Sequence, residues 1–123
     1  MKKYIDGFVL VVPKNKLDAY RKLALEAGKL WIEHGALEYR ECVGDDLKTH
    51  MGLPFPQLAK LKRNELVVFS WIVYRSRSHR DKTNEKLMKD PRFAAMVNLD
   101  SMPFDMKRMS HGGFEVLVDL QTK

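Results

Sequence analysis

The stretch "LVVFSWIVY", Leu66–Tyr74, constrains the fold more than any other part of the sequence. It is apolar on both faces apart from Ser70, and such strands are typical of the middle of a sheet that is covered on both sides. The chain has 123 residues, a length that suits one domain with one hydrophobic core. We therefore predict a single domain over residues 1–123, with this strand near the centre of its sheet.

The residues before this strand show a strand pattern, a helix pattern and a second strand pattern. The stretch "YIDGFVLVV", Tyr4–Val12, is rich in β-branched and aromatic residues and predicts the first strand. From Leu17 to His34, apolar and aromatic residues recur at steps of three and four, which predicts a helix that Asn15 can cap. The second strand is predicted over Ala36–Val43.

This second strand is polar on one face for part of its length. Its alternation places two sets of side chains on opposite faces: Leu37, Tyr39 and Val43 on one, and Glu38, Arg40 and Cys42 on the other.

The remaining segments complete the order of the elements. Gly44–Glu65 is rich in proline, glycine and charge, and predicts a long exposed loop with one short turn of helix. A helix follows the central strand, capped by Ser76 or Ser78, and a short helix begins with Pro91 at its first position. The stretch Gly112–Leu120 predicts the last strand.

The predicted order is β-α-β-β-α-β, which indicates an α+β fold of the ferredoxin-like type. Such a fold has a four-stranded antiparallel sheet with helices on one face. The other face still carries large apolar residues and needs a cover, and a chain of this size has no further element to supply one. A second copy related by a two-fold axis is the simplest cover, so we predict a homodimer.

The charge pattern argues against a dedicated nucleic-acid site. The formal net charge is +6, but the basic residues are scattered along the chain with acids between them.

The apolar run at the N-terminus is interrupted by Asp6 and has no cleavage site before Pro13, so it predicts a strand and not a signal peptide. No apolar run reaches the roughly 20 residues of a membrane helix, so we expect no membrane segment. Cys42 is the single cysteine and cannot form a disulfide within the chain, which agrees with the cytoplasmic location that we expect.

Several stretches resemble one known family. They are "YIDGFVLVVP", "DAYRKLA", "GALEYRECV", "VVFSWIVY", "RDKTNEKLMKDPR" and "MPFDMKRMSHGGFE". Together they cover nearly the whole chain and are similar to the YbaA-like proteins, a bacterial family of unknown function in the dimeric α/β-barrel superfamily. The resemblance implies the ferredoxin-like fold and the dimer, and it implies no settled activity.

Common metal and nucleophile motifs are missing from the sequence. The four histidines are His34, His50, His79 and His111, and none belongs to an H-x-x-x-H or H-E-x-x-H pattern. A lone strand cysteine such as Cys42 is more typical of a small apolar filler than of a nucleophile. We therefore predict neither a metal nor a cofactor.

The second helix carries two polar residues on its inward stripe. Arg80 and Asn84 are spaced with Leu87 so that they share its face. A half-buried arginine requires an acidic partner, and we predict Asp105 or Glu115, because Asp81 points about 100° away on a helix. This pair is either a structural ion pair or part of a ligand site.

The stretch "SMPFDMKRMSHGGFE", residues 101–115, can be interpreted in two ways. In the structural interpretation Asp105 caps a turn or forms a salt bridge, and Gly112 and Gly113 mark a bulge or a close backbone approach. The functional interpretation rests on analogy with other proteins of the predicted fold. In it, His111 acts as general acid or base together with Asp105, because an unperturbed histidine titrates near neutrality. Arg80 or Arg108 then holds a carboxylate or enolate.

The predicted pocket draws on several elements. Its candidate lining residues are Phe8, Trp71, Tyr74 and Met109, and its polar residues are Asp6, Arg80, Asn84, Asp105, Arg108 and His111.

Three hypotheses for the function follow. The first is binding or transformation of a small aromatic or carbonyl compound in a pocket of the dimeric barrel without a cofactor. The second is a non-catalytic interaction or regulatory homodimer that uses the loop Gly44–Glu65 as its contact surface. The third, RNA binding through the basic surface, has the least support and predicts affinity that falls steeply with salt.

Overall fold

A computed structural model describes residues 2–98 and 101–123. Its strands are β1 (Tyr4–Pro13), β2 (Glu38–Val43), β3 (Glu65–Tyr74) and β4 (Ser110–Glu115). Its α-helices are α1 (Leu17–Glu33), α2 (Phe55–Leu58), α3 (Arg77–Met88) and α4 (Pro91–Met96), and two 3-10 turns lie at Lys14–Lys16 and Met106–Arg108. The strands form one antiparallel sheet in the order β2-β3-β1-β4. The predicted α+β ferredoxin-like fold is confirmed.

The pairing register divides the side chains of the sheet between two faces. Tyr4 lies opposite Tyr74 and Pro13 opposite Glu65, so the even-numbered residues of β1 and β3 share one face. This inner face packs against α1, where Leu10, Val12 and Val68 form a cluster with Tyr20 and Ala24. Burial of each large apolar side chain stabilises the fold by roughly 1.5–3 kcal/mol.

The opposite, outer face of the sheet is only partly covered. Val11 and Val67 are buried there, and Phe55 of α2 packs against Phe69 with ring centroids 6.1 Å apart. Phe69 nevertheless keeps 44% of its surface exposed, and Phe114 keeps 63%. The segment between β2 and β3 thus contains one short helix, as predicted, and leaves a large part of the outer face open.

Helix α1 owes its position to a stripe of buried residues. Tyr20, Ala24, Ala27 and Leu30 are spaced by four and three residues and face the sheet. The cap predicted at Asn15 is wrong, because a 3-10 turn precedes the helix and no side chain caps its first residue. The described part of the chain contains no helix that is long and apolar enough to cross a membrane.

The last strand is shorter than its apolar pattern predicts. Its final paired residue is Glu115, opposite Tyr4, and the backbone N–H of Val116 still donates to the Lys3 carbonyl at 3.0 Å. Beyond this point β1 has no residues left to pair with, so the predicted continuation to Leu120 has no strand partner in the described chain. Leu117 and Leu120 are consequently 88% and 89% exposed.

Candidate functional site

A cavity of about 330 Å³ lies between the inner face of the sheet and the helices. We call it the inner cavity. Its walls are almost entirely apolar, and two residue types dominate them. The aromatic lining residues are Phe8, Tyr20, Trp31, Tyr39, Phe93 and Phe104, and the methionines are Met88, Met96, Met102, Met106 and Met109.

One carboxylate stands in this apolar wall. Tyr20 donates its phenol hydrogen to Glu41 Oε1 at 2.7 Å, and Tyr39 donates to Glu41 Oε2 at 2.6 Å. Burial, followed by the nearby Glu41 charge, raises the pKa of both tyrosines, so both remain protonated donors at neutral pH. Among the described residues that line the inner cavity, Glu41 is the only charged one.

Local packing holds this Tyr20–Glu41–Tyr39 triad in place. Tyr20 belongs to the buried stripe of α1, while Tyr39 and Glu41 alternate onto the inner face of β2. The Tyr39 ring stacks on Trp31, with centroids 5.8 Å apart, and lies directly against Gly28. A Cβ at Gly28 would be 2.7 Å from Tyr39 Cδ1, so the helix needs a glycine there to let the ring approach.

The same triad also borders an open groove between α1 and β2. This α1–β2 groove has a volume of about 640 Å³ and shares Tyr20, Ala24, Tyr39 and Glu41 with the inner cavity. Its apolar rim includes Ile32, which is 48% exposed. The triad therefore forms part of the boundary between the groove and the cavity.

A second polar cluster surrounds Asp6, which is buried on β1. Arg80 Nε lies 3.7 Å from Asp6 Oδ1 and 3.4 Å from Asp81 Oδ1, and Arg80 Nη2 donates to the Tyr4 hydroxyl at 3.1 Å. The guanidinium carbon is 4.9 Å from the centroid of the Tyr4 ring. Arg80 thus has two carboxylates within ion-pair distance, while its buried Nε makes no hydrogen bond within the described residues.

The partners predicted for this arginine are wrong. Asp105 is exposed and accepts the backbone N–H of Lys107, and Glu115 pairs with Lys2. The helical angle that argued against Asp81 applies to backbone directions, whereas the long arginine side chain bends back to reach it.

Helix α3 joins the Asp6 cluster to the wall of the inner cavity. Ser76 caps this helix, its hydroxyl accepting the His79 N–H, and this fixes the register of the residues that follow. Asn84 Oδ1 accepts from Trp31 Nε1 at 3.2 Å and from the Tyr74 hydroxyl at 3.3 Å.

The Asp6 carboxyl is electrostatically perturbed. Burial raises its pKa, and Arg80, Tyr74 and Asn84 oppose that rise by favouring the charged form. His111 acts on Asp6 more weakly, and its ring stacks on Phe8 with centroids 5.9 Å apart. The structure therefore brings together the predicted residues Asp6, Tyr74, Arg80 and Asn84, with His111 at their edge.

Three predicted site residues lie elsewhere. Trp71 is on the outer face of the sheet, where its indole N–H donates to Glu38 at 3.0 Å. Arg108 makes a bidentate pair with Glu65, at 2.6 and 3.0 Å, and also donates to the Lys60 carbonyl. Asp105 caps the 3-10 turn at Met106–Arg108.

Among the described residues, one group has side chains of the kind that ligate metals: Glu33, His34 and Asp90, whose ligand atoms all lie within 4.8 Å of one another. Arg92 makes ion pairs with both carboxylates, and His34 Nε2 lies 2.8 Å from Asp90 Oδ2. The guanidinium thus supplies the positive charge that the two acids require. These contacts tie the start of α4 to the end of α1.

Cys42 is exposed, so the prediction that it is a small apolar filler is wrong. Its neighbour Glu41 was not predicted to belong to a site, although a signal was present. Glu41 has the same parity as Leu37, Tyr39 and Val43, and an acid on an otherwise apolar face indicates a buried polar contact.

Comparison with known proteins identifies the family. Residues 3–106 match the family model described as "Protein of unknown function (DUF1428)". The chain belongs to this family. It is 48% identical over 117 residues to the uncharacterised protein YbaA of Escherichia coli K12, covering 95% of this chain and 98% of that protein. The uncharacterised YbaA of Shigella flexneri matches to the same extent, and the predicted YbaA-like family is confirmed.

Solved structures with little sequence similarity share the fold. A dimeric ferredoxin-like protein from an uncultured marine organism has a TM-score of 0.57 at 14% identity, over 98% of this chain and 100% of that chain. A proposed antibiotic biosynthesis monooxygenase from Nitrosomonas europaea has a TM-score of 0.58 at 11% identity, over 94% and 91%. A nipsnap family protein of unknown function from Agrobacterium tumefaciens has a TM-score of 0.56 at 14% identity, over 94% and 88%.

Proposed function

We propose that this protein binds a small aromatic or carbonyl compound in the inner cavity without a cofactor. The observation that carries the proposal is a cavity of about 330 Å³ with apolar walls, in which the described lining has one carboxylate, held by two phenols. Ligand sites are commonly of this kind, with volumes of roughly 300–1,000 Å³, mostly apolar linings and a few fixed polar groups. A volume at the low end of that range suits a compound of one or two rings.

The methionines of the wall support a ligand site. Met88, Met96, Met102, Met106 and Met109 come from α3, α4 and the segment before β4, so they cover one side of the cavity. Methionine side chains are flexible and polarizable, and they adapt to aromatic ligands of different shape. A wall of this kind can close around a ligand without a large backbone movement.

Glu41 is a group of the described wall that can accept a hydrogen bond from a bound compound. Its two phenol partners hold both carboxylate oxygens in a defined direction. The Asp6 cluster also contacts the wall of the inner cavity. Its member Asn84 accepts a hydrogen bond from the Trp31 indole, which forms part of that wall. The catalytic roles of His111 and Asp105 stay predictions.

The proposal is tested by filling the cavity. Ala27 lines the inner cavity on α1, whereas Ala19 is exposed on the same helix. A panel of one- and two-ring aromatic and carbonyl compounds is screened by thermal shift, and hits are measured by isothermal titration calorimetry. We expect binding to be lost in Ala27→Leu and kept in Ala19→Leu. Equal binding by both variants would place the ligand outside the inner cavity and refute the proposal.

We also propose that two copies associate through the outer face of the sheet. The specific observation is the open apolar surface around Phe69 and Phe114, which are 44% and 63% exposed. Trp71 lies on the same face, and Phe55 extends it onto the loop between β2 and β3. A similar structure that covers 98% of this chain is described as dimeric, which supports association of two copies.

A further inference from the structure

We propose that the compound bound in the inner cavity is an organic cation, an arylalkylamine whose ammonium group is held by Glu41. This inference rests on the proposed function and names the ligand class of the same site. It is carried by the charge and the hydrogen-bond directions of the residues around the cavity.

The first observation is the charge balance of the lining. Among the described lining residues Glu41 carries the only charge, and no lysine, arginine or histidine lines the cavity beside it. A carboxylate in an apolar wall is costly unless a positive charge or several donors compensate it. Glu41 is half-buried and also borders the α1–β2 groove, whose lining includes Arg21 and Lys29. On the cavity side its partners are the two phenols, and an ammonium group would add a positive charge there.

The second observation is the direction of the available hydrogen bonds. A carboxylate can accept about four hydrogen bonds, and Tyr20 and Tyr39 use one site on each Glu41 oxygen. Both phenol hydrogens already point at Glu41, so neither is free for an acceptor on the ligand. The triad therefore favours a ligand that donates hydrogen bonds, and an ammonium group has donors and no acceptor.

The third observation is the arrangement of aromatic rings beside the carboxylate. Trp31 stacks on Tyr39, and Phe93 meets Trp31 edge-on with centroids 5.5 Å apart. On the other side of Glu41, Phe104 meets Tyr20 edge-on, also at 5.5 Å. A ring face that such a wall presents to the ligand attracts cations by its quadrupole, so contact with these rings and with the carboxylate would favour the same ligand charge.

The test compares three probes that share one ring and differ in charge. Phenethylamine, phenethyl alcohol and phenylacetate are titrated by calorimetry at pH about 7, where the amine is protonated and the acid is ionised. We expect the amine to bind about tenfold more tightly than the alcohol, and phenylacetate to bind most weakly. In Glu41→Gln, the amine should fall to the affinity of the alcohol, while the affinity of the alcohol stays unchanged.

The outcomes separate this inference from the proposed function. If the alcohol or the acid binds as tightly as the amine, and Ala27→Leu abolishes that binding, the cation inference is wrong and the cavity proposal stands. If no probe and no compound of the aromatic and carbonyl panel binds, both the cation inference and the cavity proposal are wrong. If the amine keeps its advantage over the alcohol in Glu41→Gln, Glu41 does not hold the ammonium group and the inference is wrong.

Discussion

Substitution of Gly28 by alanine tests the packing that holds the Tyr20–Glu41–Tyr39 triad. In an exposed helix this change stabilises the protein by about 1 kcal/mol, because alanine has the better helix propensity. Here the added Cβ would lie 2.7 Å from both Tyr39 Cδ1 and Cε1 and 3.2 Å from Cζ. Real Cβ atoms do not approach a ring so closely, so either the ring or the helix must move.

Neither movement is free of cost. Trp31 stacks on the Tyr39 ring, and the Tyr39 hydroxyl is bound to Glu41 at 2.6 Å. Tilting the ring gives up a hydrogen bond to a charged group, worth about 1.5–3 kcal/mol. Leaving it in place overpacks the contact at a cost of about 1–3 kcal/mol. After subtraction of the helix-propensity gain, we expect Gly28→Ala to lower the free energy of unfolding by about 1 kcal/mol.

Urea unfolding followed by circular dichroism measures this effect, at one fixed protein concentration because association would add to stability. The matched control is the same substitution in a Tyr39→Ala background, where no ring remains to clash. There Gly28→Ala should raise the free energy of unfolding by about 1 kcal/mol, so the coupling between the two sites is about 2 kcal/mol. A gain in stability in both backgrounds would refute the packing of Tyr39 on α1 and, with it, the geometry of the triad.

Two further predictions concern the outer face and the junction of α1 with α4. Phe69→Glu places a charge in the proposed dimer interface, so light scattering after size exclusion should report the mass of a monomer. The control Leu25→Glu on α1 should leave the dimer mass unchanged. A Phe69→Glu variant that still has the mass of a dimer would refute this interface. Hydrogen bonds from Arg92 and then His34 hold the pKa of Asp90 well below its ordinary value of 3.8, so Asp90 stabilises the fold above that value and the contribution is lost as the pH falls. The difference in free energy of unfolding between wild type and Asp90→Asn, followed by urea unfolding at successive pH values, should therefore shrink on acidification, and a difference that grows would contradict the assigned ion pair.

The elements could be predicted where local periodicity reflects burial. Leu66–Tyr74 is apolar on both faces, and this pattern identified the strand that lies between β1 and β2. The helical stripe of apolar residues that begins at Leu17 identified α1. The last strand was predicted too long because its alternation continues to Leu120, whereas its length depends on where β1 begins. A sequence pattern records which side of a strand is apolar, but it does not record how many residues the neighbouring strand offers.

In the candidate site too, the sequence predicts which side chains point inward but not which groups they contact. The sequence by itself determined that Arg80 lies half-buried and needs an acid, because its spacing places it on the inward stripe of a helix. Only the tertiary structure decided that Asp6 of β1 is one of these acids, since β1 and α3 are far apart along the chain. The other acid, Asp81, is the next residue along α3, and its contact depends on how the Arg80 side chain is oriented.

The triad depended on tertiary structure still more strongly. The order of elements, the central strand and the helical stripe follow from periodicities of two and 3.6 residues, which each segment carries alone. The meeting of Tyr20 with Glu41 joins a helix to a strand, and it exists only because the packing distance between α1 and β2 lets a phenol reach a carboxylate at 2.7 Å. Side-chain direction is encoded locally, whereas the identity of the group it meets is decided by how the layers of the fold stack.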